Sequence, residues 1–367
     1  MRTLALLCGL ALAAAPSFAD TIHTADGKTI SDCTIVTEGI NKVTYKSGRN
    51  ERQIDTQDVI SIVYTEKPRA MNEADGPLMD GDLETASIIL DDYVGAVVSG
   101  ATTERRHKWA PAHAAWRVVE LRQALGDLEG VTTAASRIIA NFSESRYLPG
   151  AYLAKADAFY WNDNAKDAQA TLRAFDSAIS ASGLPERWRM ECDLALILTN
   201  DELGATTRRQ NLGDIADRAG SRFATVKNRA LVAKGESFLQ EILGSPNKAA
   251  KNVPAALADF EAVLKDPKAD DTTLAGAYVG LGDCIFHSAA KSKDRDELKR
   301  GLLAYLRVAA VYPEQGRYVS KALFYAGRCF DLMGDEESVE RAKVMYNQVG
   351  WLYPGSNWAK EARNFLR

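Results

Sequence analysis

The sequence has 367 residues, with 45 Lys or Arg against 49 Asp or Glu and a formal net charge of −4. That length suggests two or three domains. A mildly acidic chain without a Lys/Arg tract has no electrostatic footprint for nucleic acid or an anionic membrane surface.

Residues 1–19 read as a secretory signal peptide. Arg2 supplies a short positive start, "LALLCGLALAAA" is an apolar run too short to span a bilayer, and "SFA" ends at Ala19 with small residues where a signal peptidase cuts. Cys8 reads as part of the apolar run, because Leu7 stands where a lipid-attachment site needs a small residue. Removal of this segment takes away only Arg2 among charged residues, so the product from Asp20 carries −5 and keeps Cys33, Cys192, Cys284 and Cys329. Four thiols without a CxxC are neither a disulfide framework nor a zinc ribbon. No later run approaches the roughly 20 apolar residues of a transmembrane helix.

From residue 20 to 66 the pattern alternates apolar and polar and breaks at Gly39 and at "SGRN", which predicts four or five short strands. "DTQDV" before the last strand predicts a single helical turn. The strand count and the Asp26-Gly27 turn resemble the SH3-like and Sm-like small β-barrels. An export signal without a basic patch argues for a packing module or strand-pairing surface, not an RNA site.

Residues 67–82 read as a polar linker marked by Pro and Gly. From 83 to 367 the period changes to 3.6, predicting about a dozen helices with Gly and Pro at their ends. The helical part is repetitive. "SRYLPGAYLAKADAF" at 145–159 returns as "GRYVSKALFYAGRCF" at 316–330. Each copy places a small residue, a large one directly after it, a small one four further on and a bulky one three beyond. Ala151, Tyr152, Ala156 and Phe159 make the first copy, and Ala322, Leu323, Gly327 and Phe330 the last. Between them stand Ala230, Leu231, Gly235 and Phe238, then Ala277, Tyr278, Gly282 and Ile285, with a degenerate copy at Met190, Glu191, Ala195 and Leu198. A second helix follows with its own signature: Gly301, Tyr305, Val308 and Pro313, then Ala342, Tyr346, Val349 and Pro354, and shorter forms at Ala168, Leu172 and Phe175 and at Ala256, Phe260 and Val263. Small residues at 156, 235, 282 and 327 let paired helices approach closely, and stacking such hairpins buries faces that one hairpin leaves wet.

This spacing resembles the tetratricopeptide repeat family over residues 80–367, most clearly at 146–180 and 277–362, although the units run 39–47 residues against the family's 34. "AKVMYNQVGWLYPGSNWAKEA" is similar to the variant found in cell-envelope assembly proteins. The resemblance implies a mainly α fold, a right-handed α-solenoid of antiparallel helix pairs preceded by a small all-β, barrel-like domain. It also implies that first helices line a concave face. Asp157, Tyr160, Trp161, Glu236, Asp283, Phe286, Phe324 and Arg328 would then bind a protein or peptide, the alternative being that Tyr160, Trp161 and Phe286 pack between helices.

Catalytic motifs are scarce. His23, His107, His113 and His287 include no HExxH pair, so no metal is expected. Ser245-Pro-Asn-Lys248 matches SxxK without its partner motifs, and no P-loop, GxSxG or GxGxxG implies a cofactor. Cys284 and Cys329 occupy equivalent repeat positions, too far apart for a disulfide by repeat spacing, and read as buried hydrophobes. The expectation is an exported, non-catalytic scaffold of the periplasm or envelope, with no nucleic-acid partner. The alternatives are an accessory or hydrolytic factor in envelope polymer turnover, or a self-assembling structural protein that associates through the open edge of the β-domain.

Overall fold

The computed structural model describes residues 19–25 and 27–366. The expected signal peptide up to Phe18, with Cys8, and Asp26 of the expected turn lie outside them. The chain divides into two compact units. The first holds residues up to Val118 together with Arg137–Leu148, and the second holds Val119–Ser136 and the chain from Pro149 onward.

The first unit opens with five antiparallel strands, β1 (Asp20–Thr24), β2 (Thr29–Glu38), β3 (Lys42–Ser47), β4 (Asn50–Asp55) and β5 (Val59–Val63), in the order β4-β3-β2-β1-β5. Gly48, at φ +61°, closes the β3–β4 hairpin between paired Ser47 and Asn50. Thr56–Asp58 forms a one-turn 3-10 helix within the "DTQDV" stretch. The barrel expected from the strand pattern is not formed. The sheet is open, and β4 and β5 are its two edges. Closure would require those edges to pair, and β4 carries the charged Glu51, Arg52 and Asp55. Residues that follow the sheet in the same unit pack against its end. Tyr64 stacks on Trp109 with ring centroids 3.6 Å apart.

The polar hub of this unit is Glu38, at the end of β2. Its carboxylate accepts from the hydroxyls of Tyr64 and Tyr147, the latter at 2.7 Å, and lies 3.3 Å from Arg146 Nε. Burial raises the Glu38 pKa, with Arg146 opposing. The Tyr147 hydroxyl also meets His113 Nδ1 at 2.8 Å. A buried carboxylate needs this many donors to offset its desolvation.

Fifteen α-helices form among the described residues. The stretch expected as a linker, 67–82, holds α1 (Arg69–Met79), which buries Met71 and Ala74 and packs on α2 (Leu83–Val98). Its polar composition hid a helix with only two buried contacts. Two further helices, α3 (Ala110–Leu125) and α4 (Leu128–Asn141), contribute residues to both units.

The second unit is a row of neighbouring pairs: α5 (Leu148–Trp161) and α6 (Ala165–Ser182), α7 (Glu186–Leu198) and α8 (Ala205–Ala219), α9 (Ala224–Gly244) and α10 (Ala249–Leu264), α11 (Asp271–Ala289) and α12 (Arg295–Val311), α13 (Gly316–Met333) and α14 (Glu336–Leu352), ended by α15 (Asn357–Phe365). Asp270, Asp294, Asp335 and Ser356 cap their helices by accepting backbone N–H bonds, and Gly183 and Gly334 end α6 and α13 in the left-handed conformation.

The two repeat signatures are the two halves of one contact. A β-carbon placed on Gly235 would stand 2.6 Å from the Phe260 ring, on Gly282 2.6 Å from Tyr305, and on Gly327 2.5 Å from Tyr346. The small residue of the first helix thus accommodates the aromatic of the second. In the α11–α12 pair the exchange is reciprocal, since Gly301 of the second helix faces Ile285 of the first. Ala156 is fully buried, beside the stacked Tyr152 and Phe175 rings.

Candidate interaction site on the inner helices

Within the second unit, first helices of successive pairs are neighbours, α7 with α9, α9 with α11 and α11 with α13. The row winds far enough for the start of α13 to meet the end of α5. There the Arg317 guanidinium lies 4.0 Å above the Trp161 ring. A chain of charges runs between the inner helices. Arg229 pairs with Glu191 and faces Asp157. Tyr318 lies among Arg317, Glu236, Arg229 and Lys321, and Lys321 Nζ reaches Asp283 Oδ2 at 2.6 Å. Burial raises the Asp157 pKa, opposed by Arg229 and Arg317.

The sequence-derived residues fall into two groups. Asp157, Tyr160, Trp161 and Glu236 lie half-buried or exposed on the inner side. Trp161 is 47% exposed and meets Tyr160 edge-on at 5.8 Å. Tyr160 donates to Asp201 Oδ1 at 2.9 Å and borders a cleft of about 400 Å³ lined also by Arg208, Ser237 and Glu241. Arg328 is half-buried, with its guanidinium 4.4 Å above Phe365.

Three positions are not available to a ligand. Asp283 is buried, accepting from Tyr305 at 2.7 Å as well as pairing with Lys321. Phe286 is buried edge-on against Tyr325 at 5.2 Å. Phe324 is buried beside Trp358 and Phe365 of α15. The reason is shared: the following helix packs over each position before a groove can open. Removing one partner of a buried ion pair typically costs about 3–5 kcal/mol, so Asp283 and Lys321 hold the inner helices together.

Sequence reasoning missed the charged roles of Glu191, Arg229, Arg317 and Lys321. A signal was present for Arg317, because Arg146-Tyr147 and Arg317-Tyr318 fall in register in the repeat. The structure uses the dipeptide twice: the first copy grips Glu38, and the second faces the inner helices.

The other sequence candidates sit outside this surface. Ser245 precedes a one-turn 3-10 helix, Pro246–Lys248, and Lys248 Nζ is taken by Glu241 at 2.6 Å. That bond, with those from Asn252 and Arg209, lowers the Glu241 pKa to about 2. Cys33, Cys192, Cys284 and Cys329 are free and buried, and burial pushes the thiols of the last three up to about 12. Among the described residues no three His, Cys, Asp or Glu side chains cluster to hold a metal ion, and no helix is long and apolar enough to cross a membrane.

Fold and site together define a protein of stacked helical pairs following a small open sheet. No protein-family model matches the chain, and no curated protein matches it.

Proposed function

We propose that this chain is an exported, non-catalytic adaptor of the tetratricopeptide type, a right-handed solenoid that binds a protein or peptide of the periplasm or cell envelope through its inner helices. The interlock of small and aromatic residues supports the repeat assignment, and the apolar run before Ala19 supports export.

The observation that carries the binding reading is the exposed Trp161–Arg317 pair. Arg317 makes no ion pair among the described residues, and its stacking partner is a half-exposed indole. Trp and Arg are the residues that most often anchor interfaces. The neighbouring cleft adds Tyr160 and Arg208, set beside the carboxylates of Asp201 and Glu241.

The test is photo-crosslinking in living cells from a probe at Tyr160 or Trp161, with outward-facing Leu303 and Val344 as controls. A protein should be captured from the inner positions and lost when Arg317→Glu accompanies the probe. Equal capture from Leu303 and Val344, or none from the inner pair, rejects the reading.

A further inference from the structure

Helix α9 carries Ser237 two residues beyond the repeat glycine Gly235. The same position holds Ala158, Ile197, Cys284 and Cys329 in the other copies, so packing between repeats asks only for an apolar side chain or a thiol. Ser237 is 4% exposed, yet its hydroxyl makes no hydrogen bond among the described residues. A buried hydroxyl without a partner is destabilising, and packing alone gives no reason for it here.

Ser237 lines the cleft of about 400 Å³ where the end of α5, the α7–α8 connection, the first turn of α8 and α9 come together. Other polar groups of that cleft also have capacity to spare. The side-chain amide of exposed Gln240 has no partner among the described residues. Asp201 accepts from Tyr160 through Oδ1 at 2.9 Å and keeps Oδ2. Arg208 gives one guanidinium N–H to the Asn200 carbonyl at 2.6 Å and holds further donors. The charges balance. Asp201 and Arg208 carry opposite signs, and Glu241, the third ionised group, is already held by Lys248, Asn252 and Arg209.

We infer that this cleft binds a neutral saccharide, a ligand whose hydroxyls both donate and accept. The Ser237 hydroxyl, the Gln240 amide, Asp201 Oδ2 and the remaining Arg208 donors supply both halves of that exchange. The Tyr160 ring and Leu203 offer apolar surface to the C–H face of a sugar ring. The volume admits a mono- or disaccharide. An anionic ligand would meet Asp201 and a cationic one Arg208, while an apolar one would leave the polar groups unpaired. The inference goes beyond the protein-binding reading and does not rest on it, since neither Trp161 nor Arg317 lines the cleft.

Saturation-transfer NMR on the purified protein tests it, with glucose, N-acetylglucosamine and maltose as neutral probes at millimolar concentration. Glucuronate and glucosamine are the charged probes, one of each sign. At least one neutral probe should take up saturation, and both charged sugars should bind at least tenfold more weakly than it does. Gln240→Leu and Ser237→Ala should each weaken binding of that probe at least tenfold, because a site built to hydrogen-bond a hydroxyl loses most when its partner is removed. The fold should tolerate both, since Gln240 is exposed and Ala158 already occupies the Ser237 position in another copy. No saturation of any neutral probe, a charged sugar bound as tightly, or unchanged binding in both variants would each overturn the inference. Capture of a protein at Trp161 with no saccharide bound would reject this site alone and leave the protein-binding reading standing.

Discussion

At Gly327 the Tyr346 ring occupies the space where any other residue would carry its β-carbon, and the ring cannot swing aside because its hydroxyl is bonded to Asp331. Gly327→Ala sets two effects against each other. Ala in place of a helical Gly gains about 1 kcal/mol of propensity, whereas overpacking a filled core costs about 1–3 kcal/mol. With the ring tethered, overpacking wins, and the variant should be about 1–2 kcal/mol less stable in urea unfolding. Gly213 of α8 has nothing within 4 Å of its β-carbon position, so Gly213→Ala should stabilise by about 0.5–1 kcal/mol. Equal signs for the two substitutions would refute the interlock. His113 supports a second prediction. Burial, then the positive charges of Arg117, Arg146 and Lys67, push its pKa down to about 3, against about 6.5 when unfolded. Between those values the unfolded chain binds more protons, so this group's contribution to stability is complete above about pH 6.5 and falls on acidification by up to about 1.4 kcal/mol per pH unit. Glu38 acts in the opposite sense, since its raised pKa favours the fold as pH falls. The stability gap between wild type and His113→Gln isolates the histidine, and it should shrink as pH is lowered from about 7 to 5. A constant gap would mean that His113 has the same pKa folded and unfolded.

Elements were legible where one physical rule set them and obscure where two competed. The β-strands and the long helices follow hydrophobic period, and the repeat is visible because each hairpin solves the same packing problem. The meaning of the small residues was half legible: the spacing marks a close approach, but only the structure shows an aromatic of the second helix filling it. Period does not report how an element ends up covered. For that reason the polar composition of 67–82 conceals α1, and alternation alone does not tell an open sheet from a barrel. The same limit explains the inner-face residues. The repeat resemblance points to Asp283, Phe286 and Phe324 on α11 and α13, but it carries no information on how far the row winds or on the cover that α15 provides. Charge partners such as Arg229 and Glu191 lie 38 positions apart, and no local pattern joins them.

Across the second unit the apolar residues form a chain of clusters with shared walls. Leu231 borders the cluster of α7–α9 and also that of α9–α11. Helix α11 gives Ala277 and Cys284 to one cluster and Ala275, Val279 and Phe286 to the next, which continues to Ala359 and Ala362 of α15. Each helix pair therefore depends on its immediate neighbours, the condition under which stability behaves as repeat terms plus nearest-neighbour terms. A lesion at one interlock should then spread with decreasing strength along the row. In Gly327→Ala, hydrogen exchange should accelerate in α13, α14 and α15 by about tenfold for each 1.4 kcal/mol lost. The increase should be smaller in α11 and α12, and α6–α8 should exchange at the wild-type rate. A uniform increase from α6 to α15 would show that the unit opens as a single block, and the nearest-neighbour account would fail. A graded response would also explain why the charged chain from Asp157 to Asp283 runs across successive inner helices: contacts that link non-adjacent repeats oppose the local opening that a one-dimensional stack otherwise permits.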